Sequence, residues 1–170
     1  MAYSESELAA LGNVLREHPH VLIATDDMYE HILWADIGFH NIVTVCPDLY
    51  DRTIVLNGVS KAYSMTGWRI GYAAGSATLI AAMKKIQSQS TSNAASISQA
   101  AAVEALNGDQ QCVQDMLVAF KKRHDLVVEK LNKIPGVDSL HSDGTFYVFP
   151  NISRAIADMD GINDDLEFAE

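Results

Sequence analysis

Residues 57–71 read Asn57-Gly-Val-Ser-Lys-Ala-Tyr-Ser-Met-Thr-Gly-Trp-Arg-Ile-Gly71, directly after the apolar run Thr53-Ile-Val-Leu-Asn57. That run is too short for a helix and lacks polar alternation, which is the pattern of a strand buried on both faces, as in parallel sheets. Upstream, His20-Val-Leu-Ile-Ala-Thr25 reads the same way, and downstream so does Ile70-Gly-Tyr-Ala-Ala74. Helical signals surround these runs. Ser4 and Glu7 form a capping box ahead of Leu8, Leu11, Val14 and Leu15 on one face, and Pro19 ends that helix. Further helices are predicted over 77–90 and 94–106, with Ser76 and Asn93 as N-caps and Asn107-Gly108 closing the second.

From Asp109 to Ile134 a heptad-like pattern (Val113, Met116, Leu117, Phe120, Leu126, Val127, Leu131) runs unbroken to Pro135-Gly136. A helix of that length would measure roughly 35–40 Å and could cross between domains. Thr145 to Phe149 then reads as a strand, and Asp164 to Glu170 as the first turns of a helix. Strands alternating with helices give α/β architecture.

Composition narrows the function classes. The chain has 170 residues, 48% of them apolar and 20% charged, which excludes wholesale disorder. Twelve basic against twenty-two acidic residues give a net charge of −10, a field that repels nucleic acid and anionic membranes. Cys46 and Cys112 are far apart with no CxxC, so neither a disulfide scaffold nor a cysteine zinc site is expected. No secretory signal and no membrane span is legible, and a reducing cytoplasm is the expected compartment.

The 57–71 stretch carries the chemistry. A lysine at the carboxyl end of a buried strand must be desolvated or paired, and burial favours its neutral amine, the form that attacks a carbonyl. Arg69 offers a rigid fork suited to phosphate, and the small residues Ser60, Ser64 and Gly67 let backbone and hydroxyl groups approach an anion. A Schiff-base lysine beside a phosphate site suggests pyridoxal phosphate. A snorkelling surface lysine and a structural arginine are the plainer alternative from these residues alone.

Other features carry less. Asp158 to Asp165 imitates a calcium loop, but Gly161 sits at its fourth position and no acid fills the twelfth. His18, His20, His31 and His40 lack the i, i+4 spacing of metal ligands, and no metal is expected. Trp34 and Trp68 read as packing or subunit-contact residues, and Met65, Met83 and Met116 as core filling.

Gly58-Val-Ser-Lys61 followed by Gly67-Trp-Arg69-Ile-Gly71 matches at every position the lysine-attachment signature of class I aminotransferases, the fold-type I pyridoxal phosphate enzymes. The wording of 62–72 most resembles the bacterial aspartate aminotransferase branch. Asp26-Asp-Met-Tyr29 resembles the family's Asp-Glu-x-Tyr segment, and Gly144-Thr-Phe-Tyr147 its small-domain strand. The resemblance spans essentially the whole chain in one register.

It implies a partial chain. Residues 1–108 would be the second half of the large, mostly parallel-sheet domain, 109–134 the interdomain helix, and 135–170 the start of the small α+β domain. The resemblance also assigns roles. Lys61 would hold the cofactor as a Schiff base and later shuttle the substrate proton. Asp26 would face the pyridine nitrogen, and Tyr29 would donate to the ring oxygen. Arg69 would pair with the phosphate, helped by Ser60. Asp27, pointing the other way on the strand, is read as a solvated or helix-capping acid. Gly58 departs from relatives that place a serine there.

The implied activity is transamination between an amino acid, aspartate first, and a 2-oxo acid, 2-oxoglutarate first, in a homodimer. The family's ring-stacking aromatic, glycine-rich phosphate loop and substrate-carboxylate arginine fall outside these residues. The isolated chain is therefore expected to be inactive. A lyase or synthase of the same fold type, or a non-catalytic folded fragment, stands as the alternative.

Overall fold

The computed structural model describes residues 2–170. Helix α1 (Glu5–Glu17) opens on the expected box: the Ser4 hydroxyl accepts the Glu7 amide, and the Glu7 carboxylate accepts the Ser4 amide. Leu8 is buried with Ile42, Cys46 and Leu49, whereas Leu11 and Val14 on the same stripe stay exposed. Helix α2 (Ile42–Val45) and a 3-10 helix over Pro47–Arg52 bring that cluster under α1. Arg52 fastens the exit of α1 by donating to the carbonyls of Leu15, His18 and Val21.

Strands β1 (Ile23–Asp26), β2 (Thr53–Gly58) and β3 (Gly71–Gly75) form one sheet in the order β1-β2-β3. β1 and β2 are parallel, with Ile23 opposite Thr53 and Asp26 opposite Leu56. β3 is antiparallel to β2, Gly58 facing Gly71 and Ile54 facing Gly75. The parallel reading of the 70–74 run is thus corrected: the sheet is mixed. A parallel return needs a crossover that carries the chain back to the other end of the sheet, usually on an α-helix. Between β2 and β3 the chain forms only turns and a 3-10 helix, Thr66–Trp68, so it re-enters the sheet at the end it left.

Burial is also lower than the sequence predicts. β1 alternates half-buried and exposed residues, and β3 is largely exposed. Helix α3 (Ala77–Ser90) buries no residue, and Met83, read as core, is exposed on it.

Helix α4 (Ser96–Asn107) starts two residues later than predicted, with Ala95 rather than Asn93 at its cap, and ends at Gly108. Helix α5 covers Gln111–Leu131, about 30 Å at 1.5 Å per residue, shorter than the predicted 109–134 span. Tighter turns at Lys133 and Ile134 and the positive φ of Gly136 end it. It buries Val113, His124 and Val128, while Leu126 and Val127 of the sequence pattern lie exposed.

Residues 145–149 form no strand. Around them only single bridges occur, Leu33 with Gly144 and Asp138 with Asn151, and without a neighbouring ladder the backbone stays irregular. Short helices α6 (Ser153–Ala157) and α7 (Asp165–Ala169) follow; Asp164 caps the latter through the amides of Leu166 and Glu167. No helix among the described residues is long and apolar enough to cross a membrane.

Candidate active site

The sheet topology gathers the candidate residues at one edge. Because β1 and β2 are parallel, Asp26 at the end of β1 and the turn after Gly58 leave the sheet on the same side. Because β3 enters antiparallel at Gly71, Arg69 arrives at that edge as well. The carboxyl ends of parallel strands are where α/β sheets hold ligands.

Lys61 lies half-buried in the turn after β2, where the Tyr63 amide donates to the Val59 carbonyl and the Ser64 amide to Lys61. Its Nζ sits 5.8 Å from the centroid of the Tyr29 ring and 5.7 Å from that of Phe146, within reach of both π faces. The Tyr29 hydroxyl is 2.8 Å from the Tyr147 hydroxyl. Partial burial first, then the Tyr147 hydrogen bond, Tyr147 itself and the Asp26 charge push the Tyr29 phenol up to about 12, so it keeps its proton through the physiological range.

The two adjacent acids differ sharply. Asp26 is exposed and accepts the Met28 amide at 3.2 Å. Asp27 is buried, and its carboxylate takes the Thr25 hydroxyl at 2.7 Å and the Asn41 side-chain amide. The solvated reading of Asp27 is corrected: it is an internal acceptor that ties the following loop to β1. Its partners, Thr25 and Asn41, come from both sides in sequence, so only the folded loop reveals the role.

Arg69 adopts the left-handed conformation (φ +51°) after the 3-10 helix, and its Nη1 donates to the Thr66 carbonyl at 2.8 Å. Ser60 is half-buried in the Lys61 turn. Ser64, also left-handed, turns its hydroxyl to the Met116 sulfur at 3.0 Å. A Cβ built on Gly67 would meet nothing within 4 Å, whereas one on Gly58 would come within 3.0 Å of the Gly71 backbone and 3.2 Å of Met28 Cε. Glycine at 58 therefore lets β3 and Met28 close on β2, and a serine there would require one of them to yield.

Phe146 and Tyr147, read from the sequence only as strand residues, stand over Tyr29 with ring centroids 5.6 and 5.7 Å away. The aromatic pair after Gly144 was the available signal. A cavity of about 420 Å³ between α1 and β1 is walled in part by Asp26, Asp27 and Tyr29; Lys61 and Arg69 are not among its walls.

One histidine cluster lies away from this edge. His124, Asp125 and His141 bring ligand atoms within 4.8 Å of one another. Two of their polar atoms are engaged within the protein. The His124 Nε2 lone pair accepts the Ser142 amide at 3.1 Å, and the Lys121 ammonium holds Asp125 at 2.7 Å.

The family model described as aminotransferase class I and II matches residues 1–170. The chain belongs to the class I and II aminotransferase family. Among its relatives, the aspartate/prephenate aminotransferase of Nitrosomonas europaea is 59% identical over 155 residues, covering 91% of this chain and 39% of that protein. The enzyme of the same name from Cereibacter sphaeroides is 53% identical over 99% of this chain and 43% of its own length. The crystal structure of the aspartate aminotransferase from Rhizobium meliloti superposes with a TM-score of 0.93 at 46% identity, over 98% of this chain and 43% of that one. The chain thus has the fold of part of a fold-type I aminotransferase, and it spans about two-fifths of the length of the curated relatives it matches.

Proposed function

We propose that this chain carries the cofactor-anchoring part of a pyridoxal phosphate-dependent transaminase. The whole enzyme would move an amino group between an amino acid and a 2-oxo acid, with aspartate as donor. 2-Oxoglutarate and prephenate are the acceptors to try first, the latter from the names of its relatives. The observation that carries this reading is the meeting of an amine, a phenol and a carboxylate at one sheet edge: Lys61 beside the Tyr29 ring, with Asp26 ending the adjacent strand.

These residues suit such a cofactor. Gly67 leaves open space beside Arg69, the Asp26 carboxylate is exposed, and the Lys61 amine is bordered by aromatic faces rather than by an acid. When bound, pyridoxal phosphate supplies an aldehyde that captures amines and a protonated pyridine ring that draws electrons from the substrate Cα.

The protein's part follows from its own groups. The Lys61 amine would be the covalent anchor and, when free, would carry the proton at the substrate Cα. The Asp26 carboxylate holds the proton on the ring nitrogen. Tyr29, protonated at working pH, donates to the ring oxygen. Arg69 and Ser60 would hold the phosphate. The other proposed assignments follow the same reading: 1–108 to the large domain, 109–134 to the connecting helix, 135–170 to the small domain, and a cytoplasmic homodimer for the whole enzyme.

One set of residues favours a second reading for the isolated chain, packing without turnover: Leu140 and Phe149 are 85% and 97% exposed, and Leu22, Ile86 and Val118 are also uncovered. Incubation with pyridoxal phosphate, borohydride reduction and peptide mapping separates the two. Label confined to Lys61, and lost in Lys61→Ala, supports the cofactor reading. Scattered label with concentration-dependent association supports the second.

A further inference from the structure

The missing strand at 145–149 has a consequence at the candidate site. In a regular strand Phe146 and Tyr147 would point to opposite faces. Thr145 instead takes φ +67°, a strained conformation for a β-branched residue, and its hydroxyl accepts the Tyr147 amide at 3.3 Å. The two rings then fall on one side, 4.9 Å apart, and both meet Tyr29.

This placement is fixed by a clamp on the chain just after Tyr29. The Thr145 amide donates to the Ile32 carbonyl at 2.7 Å, the amides of Trp34 and Ala35 both donate to Asp143, and the Trp34 indole donates to Ser142. The Ile32 amide in turn donates to the Tyr29 carbonyl at 2.8 Å. Gly144 permits the contact, because a Cβ there would overlap the Ile32 carbonyl. Strain at Thr145 is therefore held by several hydrogen bonds next to the candidate site.

We infer that Tyr147 is a positioning residue that acts through Tyr29: its hydroxyl donates to the Tyr29 oxygen and leaves the Tyr29 proton for the cofactor ring oxygen, an inference that rests on the transaminase reading above. A phenol has one proton to give and an oxygen that accepts. Without a ligand the bond to Tyr147 helps Tyr29 keep its proton. A Tyr29 that gives that proton to the cofactor ring oxygen can meet Tyr147, 2.8 Å away, only as acceptor, so the pair exchanges its donor when the cofactor binds. An accepted hydrogen bond polarises the phenol and strengthens its donation. Stronger donation to the ring oxygen weakens that oxygen's hold on the neighbouring imine proton, so Tyr147 lowers the pH at which the Lys61-bound chromophore loses that proton.

The test is a pH titration of the chromophore's visible absorbance in the full-length holoenzyme, with cofactor affinity of the apoenzyme measured alongside. Tyr147→Phe keeps the ring and removes the hydroxyl. It should raise the midpoint by roughly 0.3–1 unit, less than Tyr29→Phe does, and weaken cofactor binding in the same order. Tyr29→Phe/Tyr147→Phe should match Tyr29→Phe alone, which a merely structural role would not produce. Replacing Tyr147 by the more acidic 3-fluorotyrosine should lower the midpoint. An unchanged or lowered midpoint in Tyr147→Phe, or a double variant shifted beyond Tyr29→Phe, overturns the inference while leaving the cofactor reading intact. Absence of any Lys61-bound chromophore in the unsubstituted enzyme overturns both.

Discussion

The Asn41 side-chain nitrogen donates into the buried Asp27 carboxylate, while its side-chain oxygen Oδ1 accepts the Val43 amide at 2.8 Å. One side chain thus caps α2 and pins the loop after β1, where Asp26 and Tyr29 begin the candidate site. Removing the carboxylate would leave the half-buried Asn41 amide and Thr25 hydroxyl without their acceptor. Asp27→Ala should therefore cost about 1–3 kcal/mol of stability, read from denaturant midpoints. Asp26→Ala should leave that midpoint nearly unchanged and lower turnover of the full-length enzyme by several orders of magnitude. The reverse pattern would exchange the roles of the two acids.

The Lys61 amine between Tyr29 and Phe146 is the covalent anchor in the proposed chemistry. Lys61→Ala should abolish borohydride-fixed cofactor and reduce full-length turnover by at least roughly 10²–10⁴-fold, the range for a lost proton-transfer group. Lys61→Arg keeps the charge near both rings but cannot form the covalent link, so it should fail equally. Activity in either variant would remove Lys61 from the chemistry.

Arg69 combines a left-handed backbone with a guanidinium that holds the Thr66 carbonyl. Arg69→Gly should be neutral or slightly stabilising, because glycine adopts that backbone without strain. The same change should raise the cofactor dissociation constant about tenfold or more, as expected for loss of a charged hydrogen-bonding partner. Isothermal titration of the apoprotein with pyridoxal phosphate, beside a thermal melt, separates the effects. Unchanged affinity would assign Arg69 to the turn alone.

Gly12 lies in α1 where helix propensity alone favours alanine by about 1 kcal/mol. A Cβ there would overlap the buried Cys46 sulfur. Overpacking outweighs propensity, so Gly12→Ala should destabilise by about 1–3 kcal/mol. In a Cys46→Ala background the same change should recover most of that loss. Additive effects in a double-mutant cycle would show that the contact is not the cause.

Stability should fall on acidification in two stages. Burial first, then the neighbouring His141, holds His124 below the ordinary histidine range, so the unfolded chain takes up that proton more readily than the folded one. Its contribution is present above the ordinary histidine range and is lost as pH falls through the depressed folded value. The hydrogen bonds from Arg16 to Asp48 and from Lys121 to Asp125 likewise hold those carboxyls below their usual range. Their contribution is present at neutral pH and is lost as pH falls below the usual carboxylate range. Urea midpoints against pH should show both stages; Asp48→Asn should flatten only the more acidic one.

Local chemistry made much of this protein legible in its sequence. The Ser4–Glu7 box, the runs at 20–25 and 53–57 that hold β1 and β2, the long helix ending before Pro135-Gly136, and the spacing of Lys61 and Arg69 each depend on neighbours within a few residues. Tertiary structure decided what depends on distant partners. The direction of β3 follows from a connection without an α-helix, and the burial of Asp27 from Thr25 and Asn41 closing on it. The approach of Phe146 and Tyr147 to Tyr29 depends on the bond from Thr145 to Ile32 and on a backbone that never joins a ladder. A period-2 pattern gives a strand's alternation only where a neighbouring strand supplies hydrogen bonds, and at 145–149 the fold supplies a clamp instead.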